Sequence, residues 1–259
     1  MTTYGRFTCV ERSIKMFRSQ DYNGPTELII FNTAVDHPIY FDPQFTPENV
    51  IIINNNIDYL TNEAYTNVGA IRRDALTHTT GKYYICWDDD DIFLPWNIRQ
   101  CVDGLNRNGK KAWKPRRSFF KTPDKLIQVQ NTLEASVIVD IESVREYGFI
   151  LKSGYEHLNW YTNLRDKGQL DEVDDEYVPG YCFNWSDPSE IAGHKQSGDI
   201  NNPENFENHK KASVDFAKRG ILDYGFIDEI YQPYFQHFLD NKEDFHPGCY
   251  QKYIIDYIS

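Results

Sequence analysis

The chain has 259 residues, a formal net charge of −12, 40% hydrophobic residues and 15% aromatic residues. This composition supplies a sizeable core and excludes a disordered or collagen-like chain. The acidic balance argues against generic nucleic-acid binding through a basic surface, though not against a local patch.

Five cysteines (Cys9, Cys86, Cys101, Cys182, Cys249) are odd in number and lack C-x-x-C spacing. They read as reduced, packed thiols, not as a zinc site or a disulfide framework. No apolar stretch reaches membrane-spanning length and no signal peptide opens the chain, so a soluble protein of the cytoplasm is expected.

In chain order, Phe7, Val10, Ile14 and Phe17 recur at helical spacing and predict a helix over about 7–19, stopped by Asp21-Tyr22-Asn23-Gly24-Pro25. Glu27–Phe31 reads as a buried strand ending in Asn32-Thr33-Ala34, and the proline-bearing stretch 35–47 as loop. Val50–Ile53 is a second strand. Ala64, Val68, Ile71 and Ala75 mark the next helix, closed by Thr80-Gly81. The apolar run Tyr83–Trp87 reads as a third buried strand, and a helix follows over about 95–106. Near-continuous apolar strands alternating with helices indicate a mostly parallel sheet covered on both faces. Only Met1-Thr2-Thr3-Tyr4 precede Gly5-Arg6, so the strand with which such a sheet opens is very short or lost.

Beyond Gly109 the pattern changes. Segments at 111–113, 118–121, 126–130 and 135–139 read as antiparallel strands, followed by a helix over about 154–166 and strands near 173–178 and 181–185. Residues 186–203 form a polar loop, and 204–259 read as a helical, aromatic extension that packs on the domain or on a second subunit. The division expected is a domain over 1–203, with halves 1–109 and 110–203, and the extension 204–259.

Asp88-Asp89-Asp90-Asp91 stand where the third strand leaves the sheet. Two like charges about 4 Å apart repel by roughly 4 kcal/mol at an effective dielectric near 20, so such a run needs a cation or full solvation. In an extended chain Asp88 and Asp90 face one way, Asp89 and Asp91 the other. Ligands of open α/β sheets bind outside the carboxyl ends of strands, which puts the site here. The plain alternative is a solvated acidic turn with Asp91 capping the next helix. An EF-hand is disfavoured, because the run lacks glycine at the sixth loop position.

Three elements in order carry a family resemblance. They are Thr3-Tyr4-Gly5-Arg6, Asn67-Val68-Gly69-Ala70-Ile71-Arg72-Arg73, and Gly81-Lys82-Tyr83-Tyr84-Ile85-Cys86-Trp87-Asp88-Asp89-Asp90-Asp91 with Leu94-Pro95 beyond. Their order and spacing resemble family-2 glycosyltransferases of the GT-A fold over roughly the first two-thirds of the chain. The resemblance implies a nucleotide-binding, mostly parallel sheet flanked by helices, with a smaller antiparallel sheet on the acceptor side and a helical C-terminal segment. It implies an inverting, metal-dependent transfer of sugar from a nucleotide-diphosphate donor to a hydroxyl.

Residue by residue, the resemblance assigns Asp88, Asp90 and His194 to Mn²⁺ or Mg²⁺, whose preference is for hard oxygen ligands. It assigns Thr3, Tyr4, Arg6, Asn32, Arg72, Arg73, Asp88, Asp89 and Lys195 to the donor. Arginine suits diphosphate because its fork donates two parallel bonds. The second strand ends in Asn32-Thr33 where relatives often have aspartates, which leaves the base open. In Gly154-Tyr155-Glu156-His157, Glu156 takes the position of the general base, usually aspartate, and Tyr155 replaces the acid before it. His157 is the alternative base. Arg72 and Arg73 paired with Asp74 or Glu63, and Glu156 as mere helix-start electrostatics, are the structural alternatives.

The stretch from Lys110 to Lys121 is basic and aromatic. It reads either as a grip for a phosphate-bearing acceptor or as an edge hairpin guarded by lysines. The acceptors consistent with the resemblance are a glycan, a lipid-linked sugar, a protein or a hydroxymethylated DNA base. Small transferases of this kind occur in bacteria and bacteriophages, and the location is the host cytoplasm if a phage encodes the chain. Competing readings are a metal-dependent nucleotidyl or phosphoryl transferase, for which no P-loop or G-x-G-x-x-G turn is present, and a non-catalytic nucleotide- or sugar-binding scaffold.

Overall fold

A computed structural model describes residues 1–41, 47–121, 126–131, 134–173 and 179–184. The loop 186–203, with His194 and Lys195, and the helical extension 204–259 lie outside the described residues.

The opening strand is present and two residues long. β1 (Thr2–Thr3) pairs in parallel with β2 (Leu28–Asn32), and β2 with β3 (Val50–Asn54). The Met1 ammonium donates to the Ile29 carbonyl at 2.7 Å, which extends the short pairing. All five residues of β2 are buried, as an inner parallel strand requires, whereas β3 is half exposed at the edge. Helix α1 (Phe7–Arg18) buries Val10, Ile14 and Phe17, and its last turn carries Lys15 and Arg18 against the carboxyl end of the helix dipole.

Helix α2 (Val68–Leu76) starts later than its apolar spacing suggests. The Asn67 side chain caps it by accepting from the Ala70 N–H at 2.9 Å, and Ala64 bridges to Ile57 outside the helix. Strand β4 (Tyr83–Ile85) ends before Cys86, and the aspartates follow in a bend that leads into β5 (Ile92–Phe93). Helix α3 (Asn97–Asn108) begins two residues after Pro95 and ends at Gly109 in the left-handed conformation, φ 63°.

The remaining strands are β6 (Ala112–Pro115), β7 (Arg117–Lys121), β8 (Leu126–Gln130), β9 (Ile138–Asp140), β10 (Leu170–Val173) and β11 (Tyr181–Asn184). They form two sheets, β10-β6-β9-β4 and β5-β11-β7-β8. Both are mixed, not purely antiparallel. β10 runs parallel to β6 and β11 parallel to β7, while β9 pairs antiparallel with β6 and β8 antiparallel with β7. Parallel neighbours need a long crossover. For β10 it includes α4 (Ile141–Tyr147), which periodicity did not reveal, and α5 (Leu158–Asp166). A single 3₁₀ turn, Glu134–Ser136, replaces the first half of the expected strand over 135–139.

Helix α5 starts at Leu158 and not at Gly154, because Gly154 and Tyr155 take φ values of 77° and 60°, which a right-handed helix cannot include. The stretch from Lys110 is not an edge hairpin, and its aromatic residues Trp113 and Phe119 are turned into the core while Lys111 and Arg116 stay exposed. β6 and β7 are inner strands of different sheets, Trp113 and Phe119 are core, and Lys114 is buried, its Nζ 3.1 Å from the Tyr161 hydroxyl and 3.5 Å from Glu172.

One core cluster joins α1, β2, Trp87, Phe93, Trp113, Phe119, Ile138 and Tyr181. A second lies beneath α4 and α5, around Val139, Ile141, Trp160 and Leu164. Among the described residues no helix is long and apolar enough to cross a membrane.

Candidate active site around the four aspartates

The four carboxylates do not divide by alternation, because the run is a bend and not an extended strand, and the adjacent Asp89 and Asp90 both pair with Arg6. Asp88 is the most open, with 23% of its side chain exposed, whereas Asp89, Asp90 and Asp91 are buried. Asp91 caps no helix. It accepts from the Tyr181 hydroxyl at 2.5 Å and from the Asn184 N–H at 3.0 Å, and so ties the bend to β11. The Asn184 amide also donates to the Asp90 carbonyl at 2.9 Å. Burial, then the charges of Asp90 and Asp88, push the Asp91 carboxyl well above the usual range.

Asp89 pairs with Arg6, which also donates to Asp90 at 3.1 Å. Arg12 donates to the Asp89 carbonyl at 3.0 Å. Burial pushes the Asp89 carboxyl up to about 6 despite Arg6. Sequence reasoning assigned no role to Arg12, Tyr181 or Asn184. The last two lie at the two ends of one short strand, Tyr181–Asn184.

Arg72 joins the aspartates to the acceptor-side loop. Its buried guanidinium donates from Nη2 to Asp88 at 2.6 Å, from Nε to Glu156 at 2.8 Å and from Nη1 to the Cys86 sulfur at 2.8 Å. Burial, the largest influence, raises the pKa of Asp88 and of Glu156, but the Arg72 charge together with hydrogen bonding and the neighbouring His157 holds both below the usual carboxylate range. Glu156 also lies 3.3 Å from His157 Nε2. Burial, then Arg72, lower the His157 pKa to about 4, so the ring is neutral at pH 7.

Glycine at position 69 makes this contact possible. A Cβ there would stand 1.9 Å from the Ile150 carbonyl oxygen, so only glycine lets α2 approach the loop that carries Glu156. The Gly69 N–H donates to the Lys152 carbonyl at 3.1 Å, and the Ile150 N–H to the Glu156 carbonyl at 2.9 Å.

Of the other sequence candidates, Thr3 is buried on β1 and Tyr4 is exposed. Asn32 is occupied in shaping a turn. Its oxygen accepts from the Gly5 N–H at 2.8 Å, and its amide donates to the His37 carbonyl at 3.0 Å and to Asn54 at 2.8 Å. Arg73 pairs with Asp58 at 2.6 Å and Asp74 at 2.7 Å, close to its structural alternative.

Among the described residues no three His, Cys, Asp or Glu side chains converge as a ready cation cage. Asp88 and Asp90 nevertheless suit a hard divalent cation. Both supply hard oxygen donors, Asp88 held by Arg72 and Asp90 by Arg6.

A short parallel sheet, a strand leading into clustered carboxylates and a mixed second half define a GT-A-type fold, and comparison with solved structures agrees. S. aureus TarS 1–349 in complex with UDP-GlcNAc matches with a TM-score of 0.55 at 13% identity, over 93% of this chain and 78% of that one. Glucosyl-3-phosphoglycerate synthase from Mycobacterium tuberculosis with phosphoglyceric acid matches at 0.52 and 15%, over 89% and 83%. The same synthase with Mn²⁺, UDP and glucosyl-3-phosphoglycerate gives 0.50 and 14%, over 86% and 80%. At these identities the likeness is one of fold. No protein-family profile and no curated protein sequence matches the chain.

Proposed function

We propose that the chain is an inverting glycosyltransferase that moves a sugar from a nucleotide-diphosphate donor to an acceptor hydroxyl. The observation that carries this reading is the shared guanidinium. Arg72 holds Asp88 and Glu156 on one fork, which brings the carboxylate proposed for the metal and the one proposed as the base to a single site.

Glu156 is the general base. Its ionised form persists at neutral pH because Arg72 opposes protonation, and it takes the proton of the acceptor hydroxyl as that oxygen attacks the anomeric carbon. His157 stands beside it, with Nε2 3.3 Å from the Glu156 carboxylate. Arg6 holds Asp90 in place and faces the donor phosphates from the α1 side. A Mn²⁺ or Mg²⁺ ion held by Asp88 and Asp90 would offset the charge that grows on the departing diphosphate. His194 and Lys195 belong to this reading as the third metal ligand and a diphosphate contact.

The test is release of nucleoside diphosphate from a panel of nucleotide sugars with Mn²⁺ or Mg²⁺. One donor is expected to turn over, and chelation or Asp90→Asn to reduce release at least about a hundredfold, as loss of a charge-stabilising group does elsewhere. No release from any donor with either metal, or pyrophosphate as the product, would exclude the reading.

A further inference from the structure

The loop before α5 holds one residue in a conformation that its own chemistry disfavours. Tyr155 has φ 60°, in the left-handed region where a Cβ crowds the carbonyl. Gly154 before it has φ 77°, which costs glycine little. A bulky residue persists in this region when the surroundings fix it or when function requires it. Packing does not explain Tyr155, because it is 68% exposed. Its neighbour in sequence is Glu156, the proposed base. Lys152 Nζ lies over the ring, 5.5 Å from its centroid, and braces it by a cation–π contact.

We propose that Tyr155 is the platform on which the acceptor lies, and that the acceptor it fits is a neutral pyranoside. This rests on the transferase reading and names the substrate class of the same site. A tyrosine ring gives a large, rigid, amphipathic contact area at small entropic cost. A pyranose offers an apolar C–H face to such a ring and hydroxyls along its edge, so that one hydroxyl reaches the adjacent Glu156 while the face rests on Tyr155. A chain of net charge −12 disfavours an anionic acceptor. A nucleic-acid acceptor needs a basic track for its phosphates, and the basic, aromatic stretch that suggested one is folded inward at Trp113, Lys114 and Phe119.

The experiment places 3-fluorotyrosine at position 155 and follows its ¹⁹F resonance with neither donor nor metal present. The probes are the methyl pyranosides of glucose, galactose and mannose, with sorbitol and an oligothymidylate as comparisons. The expected result is a saturable shift with at least one pyranoside, at least fivefold larger than with sorbitol or the oligothymidylate. Equal response to sorbitol, response to the oligothymidylate alone, or no response to any pyranoside would overturn the proposal.

Tyr155→Asn removes the ring yet suits a left-handed backbone. The melting temperature is expected to hold or rise, and a fall of several degrees would show that the ring is structural and overturn the proposal. The ring resonance is read without turnover, whereas the transferase reading stands or falls on donor release and its loss in Asp90→Asn. The two can therefore fail separately.

Discussion

Arg72 donates to Asp88 and Cys86 at one strand end and to Glu156 in a distant loop. The residue type was legible as a phosphate ligand, but its actual partners were not, because a fork that serves one strand end and one loop has no signature along the chain. Removing one partner of such a buried cluster strands the others, which is why buried ion pairs are costly to break even when their net worth is small.

The same burial governs His157. The unfolded ring binds a proton near pH 6.5, but the folded ring resists it until about pH 4. Stability from this group is therefore complete above pH 6.5 and lost as the pH falls toward 4, by as much as about 3 kcal/mol. Urea unfolding of His157→Gln against the parent between pH 4 and 6.5 should show a shallower loss in the variant. Parallel pH slopes for the two proteins would refute the assignment.

Among the elements, most helices and inner strands were legible. α1, β2, β3 and α3 follow from apolar spacing and turn residues almost to their ends. What sequence missed follows from contacts made in three dimensions. α4 is a short helix launched directly from β9 by the Asp140 side chain, which accepts from the Ser143 N–H at 3.3 Å, and it has too few turns for a period to emerge. The parallel pairing of β10 with β6 and of β11 with β7 depends on crossovers, not on anything within the strands.

The start of α2 joins the two sides of the site. Gly69 docks against residues 150–152, and Val68 N–H lies 3.3 Å from the Ser153 hydroxyl. Gly69→Ala puts a methyl where the Ile150 carbonyl oxygen stands, so the loop bearing Glu156 must retreat. We expect a destabilisation of about 1–3 kcal/mol, typical of overpacking. Donor turnover in the presence of acceptor should fall further than stability alone explains. Chemical unfolding and the rate at a temperature where both proteins are folded would separate the two effects, and an unaltered rate would contradict the docking.

For the whole molecule, the sequence divides near Gly109 but the core does not. Trp113, Phe119, Ile138 and Tyr181 from the second half share one cluster with Val10, Ile14 and Trp87 from the first. β4 pairs with β9 and β5 with β11 across the same line. The division into halves thus marks a change of pattern in the chain and not a boundary of folding. Fragments 1–109 and 110–184, prepared separately, should each lack the dispersed NMR spectrum of a packed protein, because each exposes its part of that cluster. A well-dispersed spectrum from either fragment would show that it folds alone.

The thiols provide a clock for the interior. Cys9, Cys86, Cys101 and Cys182 are all buried, and Cys86 lies directly beneath the Arg72 fork, its thiol pushed far up by burial. A thiol-specific reagent reaches Cys86 only when the cluster that holds Asp88 and Glu156 parts, so its labelling rate reads how often the resting molecule takes its own centre apart.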